Sequence, residues 1–289
     1  MKTLGARLRQ YWSLIKSYQT GLLLLTGVVG YLSAGRTLAG DWREILGAAG
    51  SLFLAISGST VLNMWHDRDI DAMMQRTCWR PLPTGRVSPT EALVLGLLLS
   101  FVGIAWALAI DPLFGTIVFA GSFFDVVVYT LWLKRRSAWS ILWGGISGGM
   151  PLLAGRALGL GELDWIGLML TAAILFWIPT HILTFAMRYF DDYQKAGVPT
   201  IPAAYGFQWT RIIIALSSAL AVGAMVISAW GVGLTAGTMY VLLVLSVALL
   251  LLAATSVLRP SQRLNFGLFK YASLYMLSAM ILIITGTVR

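Results

Sequence analysis

The sequence predicts an all-helical protein that crosses a membrane about nine times. Three observations lead to this fold class. The 289 residues are 58% hydrophobic and only 11% charged, whereas about a quarter of the residues in a soluble domain are charged. The apolar residues form runs that are long enough to cross a bilayer as helices. The basic residues are divided unequally between the segments that connect those runs.

A helix needs about 20 apolar residues to cross the hydrocarbon core of a bilayer. Nine stretches of the chain approach that length with few charges. The third and fourth are separated only by Asp111 and Pro112, which predicts a tight helical hairpin. The predicted spans are 18–38, 44–65, 92–110, 113–133, 138–158, 165–187, 210–230, 235–257 and 270–288.

Nine spans place the two termini on opposite sides of the membrane. The segments 2–16, 68–86, 134–136, 188–211 and 259–270 then share one side and contain 17 of the 21 Lys and Arg residues. The positive-inside rule makes that side cytoplasmic, with the N-terminus on it. We therefore expect a multi-pass protein of the cell membrane whose polar loops face the cytoplasm. The same rule accounts for the net charge of +9 without a nucleic-acid partner.

The low cysteine count excludes two further classes. Cys78 is the one cysteine, so the chain has neither an internal disulfide nor a multi-cysteine metal site. No low-complexity segment or soluble module interrupts the apolar runs, and we expect a single transmembrane domain over residues 1–289.

The first acidic cluster follows the second predicted span. Asn63, Asp67 and Asp71 are four residues apart, which places them on one face of a helix, while Asp69 points elsewhere. Stacked oxygen ligands suit Mg²⁺, which binds a few carboxylates together with phosphate oxygens. The alternative is a solvated helix end on which Asp and Arg residues pair.

Basic side chains lie close to this cluster in the sequence. Arg76 and Arg80 follow it in the same loop, and Lys134 and Arg135 close the fourth span on the same side. The forked donors of arginine suit a bridging phosphate. The positive-inside bias is the alternative explanation for each of these residues.

The second acidic cluster follows the sixth span. Asp191 and Asp192 are succeeded by Lys195, and His181 lies upstream inside the span. A histidine inside the membrane is a functional candidate, and its alternative role is a hydrogen bond to a neighbouring helix. If the helix continues, His181, Arg188, Asp192 and Lys195 share one stripe.

One more carboxylate lies inside a predicted span. Asp125 precedes Tyr129 by four residues in the fourth span. A carboxylate in a membrane helix is costly and usually faces the interior of the bundle. Asp125 has three possible roles. It pairs with His181, it is a protonated carboxyl group with a structural role, or it takes part in function.

Together these segments resemble the UbiA superfamily of intramembrane prenyltransferases. The Asn63, Asp67 and Asp71 pattern is similar to the first aspartate-rich motif of that family. Four segments resemble the branch that uses heme as acceptor, and the resemblance extends over most of the chain but is weakest after about residue 210. They are 67–86, 129–136, the helix of His181, and 191–197.

The resemblance implies a UbiA-type bundle and transfer of a farnesyl group from farnesyl diphosphate to a vinyl group of heme B, assisted by Mg²⁺. The residues and the resemblance together make Asp67, Asp71, Asp191 and Asp192 the candidate catalytic residues, and these four with Asn63 the candidate metal ligands. The candidate substrate-binding residues are Asn63, Arg76, Arg80, Tyr129, Lys134, Arg135, His181 and Lys195.

Some positions depart from the family pattern. Tyr189 and Tyr193 stand where many members carry the carboxylates of a second motif, a change that itself resembles the heme branch. His181 is preceded by Pro-Thr rather than Pro-Pro, and Lys16 is followed by Ser rather than Pro. These departures leave the acceptor open.

Two alternatives to this function remain. A quinone-precursor aromatic or another lipid is the alternative acceptor, and a transporter is the alternative from another class. The charge clusters lie at one membrane face and not at the midplane, which disfavours a transporter. The expected partners are a prenyl diphosphate, heme B and the lipid bilayer, with a contact to a heme A synthase or a terminal oxidase assembly.

Overall fold

The computed structural model describes residues 4–37 and 42–287, and within them it contains helices and no strands. Residues 165–187, 210–230, 236–257 and 270–287 of the four C-terminal predicted spans each lie within one long helix. Short helices carry or adjoin the two acidic clusters. The elements are α1 (Leu4–Leu14), α2 (Ser17–Leu32), α3 (Trp42–His66), α4 (Arg68–Met73), α5 (Pro89–Ile110), α6 (Pro112–Phe123), a π-helix (Phe124–Leu133), α7 (Ser140–Leu160), α8 (Trp165–Arg188), α9 (Phe190–Lys195), α10 (Ile201–Val232), α11 (Ala236–Leu258) and α12 (Gln262–Thr287).

Seven helical segments in the described residues are long and apolar enough to cross a membrane, so the chain is a multi-pass membrane protein. The two other predicted spans are also helical. α2 has 16 residues, and α7 has 21 residues but is rich in glycine and contains Arg156. The count of nine and the side of the N-terminus remain predictions. The seven segments are Trp42–His66, Pro89–Ile110, Pro112–Leu133, Trp165–Arg188, Ile201–Val232, Ala236–Leu258 and Gln262–Gly286.

The bundle has two apolar cores. One lies among α2, α3, α5, α6 and α7 and includes Phe114 and Leu153. The other lies mainly among α8, α10, α11 and α12 and includes Leu170, Met225 and Tyr275. Because α7 and α8 adjoin in sequence and pack together, the two halves form one bundle.

Glycines bring α2 and α7 into direct backbone contact. A Cβ atom added to Gly30 would lie 2.0 Å from the carbonyl oxygen of Leu152, and one added to Gly155 would lie 1.9 Å from that of Gly27. Only glycine fits at such separations. Small residues that allow close backbone approach are typical of helix contacts inside membranes, and we refer to this contact as the glycine seam.

Arg156 ties the end of the bundle opposite the acidic clusters. It is 5% exposed and forms two hydrogen bonds of 2.7 Å to Asp164, at the start of α8. Its Nη1 donates to the carbonyl oxygen and hydroxyl of Ser33, just after α2. A buried charge needs such partners, so Arg156 joins α2, α7 and α8.

The hairpin between α5 and α6 forms as the sequence predicts. Asp111 alone separates the two helices, and its carboxylate accepts a hydrogen bond of 2.7 Å from the backbone N–H of Phe114. This cap satisfies a donor at the start of α6, and Pro112 occupies its first position, where no hydrogen-bonding N–H is needed.

The fourth predicted span ends as a π-helix. Backbone hydrogen bonds join residues five apart, as between the N–H of Lys134 and the carbonyl oxygen of Tyr129 at 2.8 Å. The hydroxyl of Thr130 also bonds to the carbonyl oxygen of Asp125. π-Helical turns are rare and often lie at functional sites, and this one carries the candidate residues Asp125 and Tyr129.

Candidate active site

The Asp67 and Asp71 side chains lie on one buried face at the end of α3. The chain bends slightly at Asp67, yet the backbone N–H of Asp67 bonds to Asn63 and that of Asp71 to Asp67, at 3.0 and 2.8 Å. The four-residue repeat is therefore preserved. Asp67 and Asp71 are each 5% exposed, whereas the side chain of Asp69 is 57% exposed and points away, as the spacing predicts.

Each of the two buried carboxylates is paired with a basic residue named in the sequence analysis. Arg80 donates to Oδ2 of Asp71 at 2.7 Å. Lys134 forms an ion pair with Oδ2 of Asp67, although 67 residues separate them in the sequence. Burial alone would lower the pKa of Lys134, but Tyr129 and Asp67 outweigh it and raise that pKa above its usual value.

Arg135 has a different position from Lys134. It makes a two-pronged ion pair with exposed Asp69, at 2.7 and 2.6 Å, and bonds to the carbonyl oxygen of His66. The hydrogen bonds from Arg135 lower the pKa of Asp69 to about 2. Arg135 thus lies outside the buried pairs and fastens α4 to the end of the π-helix.

Lys16 is a site residue to which the sequence assigned no role, either as a basic charge or as the residue before a departure from the family pattern. It lies between α1 and α2 with φ 44° and ψ 56°, a conformation that is rare for residues other than glycine and is often retained at functional sites. Burial, and then the charges of Arg80 and Lys134, lower the pKa of Lys16 to about 8, against the opposing effect of Asp71 and Asp67. Three cations therefore surround two buried carboxylates.

Asn63 and Asp125 meet at the top of an internal cavity. The side-chain amide of Asn63 lies 3.3 Å from both carboxylate oxygens of Asp125. With its NH₂ group directed to Asp125, the amide oxygen of Asn63 is left for another partner. The structure therefore gives Asp125 a partner other than His181.

The cavity below Asn63 has a volume of about 190 Å³ and is lined by α2, α3, α6, the π-helix and α7. Lys16, Asn63 and Asp125 form its polar end, and Leu23 and Val118 belong to its apolar wall. Ser59 also lines it, and the buried Ser59 hydroxyl has no hydrogen-bond partner in the described chain. The remaining wall mixes apolar side chains with hydroxyl groups such as those of Thr20 and Ser147. A partly apolar cavity with a charged end suits a molecule with an anionic head and a hydrocarbon tail.

The second acidic cluster lies on α9. α8 ends at Arg188, and Tyr189 breaks the helical geometry before α9 begins. The helix is therefore interrupted at Tyr189. The predicted shared stripe of His181, Asp192 and Lys195 required a continuous helix, so that prediction was wrong. Asp191 and Lys195 are exposed, and Asp192 is partly exposed.

The two acidic segments are nevertheless neighbours. Ile70 and Met74, on and just after α4, pack with Ala196 and Val198, just after α9, and Tyr193 covers this small core. Arg76 also crosses toward α8, with its guanidinium 4.9 Å from the Phe185 ring centre. The segment that carries Asp191 and Asp192 thus lies against the segment that carries Asp71.

The donor atoms fit a magnesium ion in kind. Asn63, Asp67 and Asp71 offer only oxygen, the ligand that Mg²⁺ prefers. Among residues 4–37 and 42–287, no group of three or more His, Cys, Asp or Glu side chains is placed to hold a metal. The carboxylates are instead paired with cations. A metal ion would add positive charge beside those cations, so we expect it to bind together with the negatively charged diphosphate.

His181 belongs to α8, and its side chain packs against α12. Its ring is stacked between Trp177 and Phe269, with centres 4.8 and 4.6 Å apart. Nδ1 is 3.1 Å from the Ser273 hydroxyl, which also bonds to the carbonyl oxygen of Phe269. If Ser273 gives its one hydrogen to that carbonyl, Nδ1 is the protonated nitrogen and Nε2 keeps a free lone pair.

This site is an arrangement of buried carboxylates and cations beside the polar end of a cavity inside a membrane bundle. The model of the UbiA prenyltransferase family matches residues 23–277. The chain therefore belongs to the UbiA prenyltransferase family.

Individual relatives are similar over most of the chain. A protoheme IX farnesyltransferase of Pyrobaculum neutrophilum is 44% identical over 67% of this chain and 69% of its own length. One of Archaeoglobus fulgidus is 38% identical over 87% and 84%. A solved UbiA homologue from Archaeoglobus fulgidus, bound to DMAPP and Mg²⁺, has a TM-score of 0.70 at 18% identity and covers 95% of this chain and 99% of its own. The last comparison establishes the fold.

Proposed function

We propose that this protein transfers the farnesyl group of farnesyl diphosphate to a vinyl group of protoheme IX, giving heme O. The observation that carries this proposal is the set of buried pairs, Asp67 with Lys134 and Asp71 with Arg80, one helical turn or more beyond Asn63, which lines the polar end of the cavity. Relatives of this chain at 38–44% identity are protoheme IX farnesyltransferases, which supports the choice of heme as acceptor. Membership of a prenyltransferase family favours an enzyme over a transporter.

The chain's residues have separate tasks in this reaction. Lys16, Arg80 and Lys134 bind the diphosphate, and their charge stabilises it as it leaves. Asn63, Asp67 and Asp71 would hold Mg²⁺, with Asp191 or Asp192 approaching from α9. The metal supplies further positive charge to the leaving group. Tyr129, beside Lys134, and Lys195 on α9 are proposed to complete the contacts with the diphosphate.

The proposed reaction consumes farnesyl diphosphate, heme B and one water molecule. The bond between C1 of the farnesyl group and the diphosphate oxygen breaks, and its electron pair leaves with the diphosphate. The vinyl carbon of heme forms a bond to C1, water adds to the resulting cation, and one proton is released. The apolar walls of the cavity, including Leu23 and Val118, keep other water away from the allylic cation.

The location and partners follow from the same proposal. The distribution of Lys and Arg residues favours a cell-membrane protein with this site on the cytoplasmic face. A single domain over residues 1–289 and contact with a heme A synthase or terminal oxidase assembly stay predictions. Co-purification from native membranes tests the latter.

Product analysis tests the proposal directly. Purified protein in lipid nanodiscs is incubated with heme B, farnesyl diphosphate and Mg²⁺, and the porphyrins are identified by mass spectrometry. We expect the mass of heme O and release of one diphosphate per product, both abolished by a chelator. A parallel incubation with 4-hydroxybenzoate tests the alternative acceptor. Product from 4-hydroxybenzoate and none from heme would refute the assignment of the acceptor.

A further inference from the structure

One face of α8 carries a continuous series of rings. Trp177, His181, Phe185 and Tyr189 are four residues apart, so they lie on the same side of the helix and span about 18 Å along it. Trp177 stacks on His181, and Phe185 lies 4.5 Å from Tyr189 between ring centres. All four side chains are partly exposed, although they lie on a helix of the bundle.

α12 extends this aromatic face and holds it in place. Phe269 stacks on His181 and lies 6.0 Å from Phe266, with the two rings nearly parallel at 8°. The indole N–H of Trp177 donates to the carbonyl oxygen of Ala272 at 2.7 Å. We define the aromatic face as six residues: Trp177, His181 and Phe185 of α8, Tyr189 just after α8, and Phe266 and Phe269 of α12.

Arg76 lies over two rings of the aromatic face, 4.9 Å from the centre of Phe185 and 5.8 Å from that of Tyr189. Two further cations, which are exposed, lie at its outer end. The guanidinium of Arg188 is 3.9 Å from the centre of the Phe266 ring, and Nζ of Lys270 is 4.5 Å from it. In the part of the chain that the structure describes, neither forms an ion pair with a carboxylate, so both are available to an acidic ligand.

We infer that the aromatic face is the acceptor site, and that Arg188 and Lys270 bind the two propionate carboxylates at the edge of the porphyrin. This inference rests on the proposed function. A porphyrin is a wide, flat, π-rich ligand with two carboxylates on one edge, and the face offers six rings with two unpaired cations at one end. The propionates lie at the acidic end of the bundle, and the ring extends inward toward His181.

The chemistry of the face favours this occupant over the other anionic ligands of a membrane. The diphosphate has its own cations, Lys16, Arg80 and Lys134, next to the aspartates. A phospholipid would bring one phosphate and flexible hydrocarbon chains, which have no particular preference for stacked rings. A flat aromatic ligand gains contact with ring faces and edges as well as charge-assisted hydrogen bonds.

Binding of heme B and of its propionate dimethyl ester separates the carboxylate contacts from the rest of the site. Both are titrated by Soret absorbance into protein held in phosphatidylcholine nanodiscs, where no anionic lipid competes. The test variant is Arg188→Gln/Lys270→Gln. The matched control is Arg259→Gln/Arg263→Gln, which removes two exposed charges at the same end of the bundle. The KM for farnesyl diphosphate and thermal unfolding are measured for each.

We expect the wild type and the control to bind heme B roughly tenfold or more tightly than the ester, the effect of losing charged hydrogen bonds. The test variant should bind both ligands equally, about as weakly as the wild type binds the ester, with its KM for farnesyl diphosphate changed less than twofold. Equal binding of heme and ester by the wild type, or a preference retained in the test variant, would overturn the inference. Failure of the wild type to make a farnesylated porphyrin would instead reject the proposed function. The heme and ester titrations do not depend on turnover and would still test the inference.

Discussion

Replacement of Asp71 by asparagine should separate the catalytic carboxylates from the surface ones. Asp71→Asn keeps the shape of the side chain but leaves Arg80, 2.7 Å away, without its counter-charge. Loss of one partner of a buried pair costs about 3–5 kcal/mol, and we expect the lower end because the Arg80 side chain is 16% exposed. Loss of one electrostatic group at the reacting centre should lower turnover by about 100-fold or more.

Two further variants make this prediction specific. Asp69→Asn breaks an exposed pair two residues away, which should cost less than about 1 kcal/mol and leave turnover almost unchanged. The double variant Asp71→Asn/Arg80→Gln removes both buried charges, so its stability should recover while its activity does not. Recovery of stability without activity shows that the Asp71–Arg80 pair acts in catalysis and not only in stability, and the single Asp71→Asn variant reports on the carboxylate.

The assay is the rate of farnesyl-heme formation in nanodiscs at saturating Mg²⁺, alongside thermal unfolding of the same preparations. The reasoning is refuted if Asp71→Asn keeps turnover within about threefold of wild type, since one reacting-centre group is worth far more. It is also refuted if Asp69→Asn loses as much activity as Asp71→Asn.

Four other predictions follow from the structure. Because the folded-state pKa of Lys16 is lowered to about 8, its charge is present at pH 7 and is lost as the pH rises to 9; the KM for farnesyl diphosphate should rise over that range in the wild type but not in Lys16→Met. His181→Phe keeps the ring stacking but loses both nitrogens, so heme affinity should fall while affinity for a nonhydrolysable prenyl diphosphate stays; unchanged heme titrations and turnover would make His181 structural. Cys78 is exposed, so a membrane-impermeant thiol reagent should label it in inverted vesicles; labelling only in intact cells contradicts the predicted topology. Arg156→Met leaves Asp164 without its buried partner, and should lower the free energy of unfolding by about 3 kcal/mol with the KM values unchanged; an unaltered unfolding temperature would contradict the role of Arg156.

The sequence was sufficient to predict the helical membrane fold because apolar runs report burial in lipid directly. The helix ends were less predictable. The seventh and ninth predicted spans start at residues 210 and 270, whereas α10 starts at Ile201 and α12 at Gln262. Hydropathy marks only the part of a helix inside the hydrocarbon, and backbone hydrogen bonding continues into the polar layer beyond it.

The local geometry of the first cluster was also predictable, since a four-residue spacing fixes which carboxylates share a face. Partners distant in sequence were not. Asp67 pairs with Lys134, and Asp125 pairs with Asn63 rather than His181. Lys16 was not a candidate site residue because nothing near it in the sequence indicates that α1 and α2 meet beside Asp71. Such pairings depend on how the helices assemble.

The glycine seam limits how this protein can admit its substrates. Where Gly30 and Gly155 bring the backbones of α2 and α7 together, the gap is narrower than a methylene group. No hydrocarbon chain can pass between these two helices at the seam, and separating them there would expose backbone to lipid. A prenyl chain that arrives from the bilayer must therefore enter at another place in the bundle. We expect α2 and α7 to stay in contact at the seam while it does so.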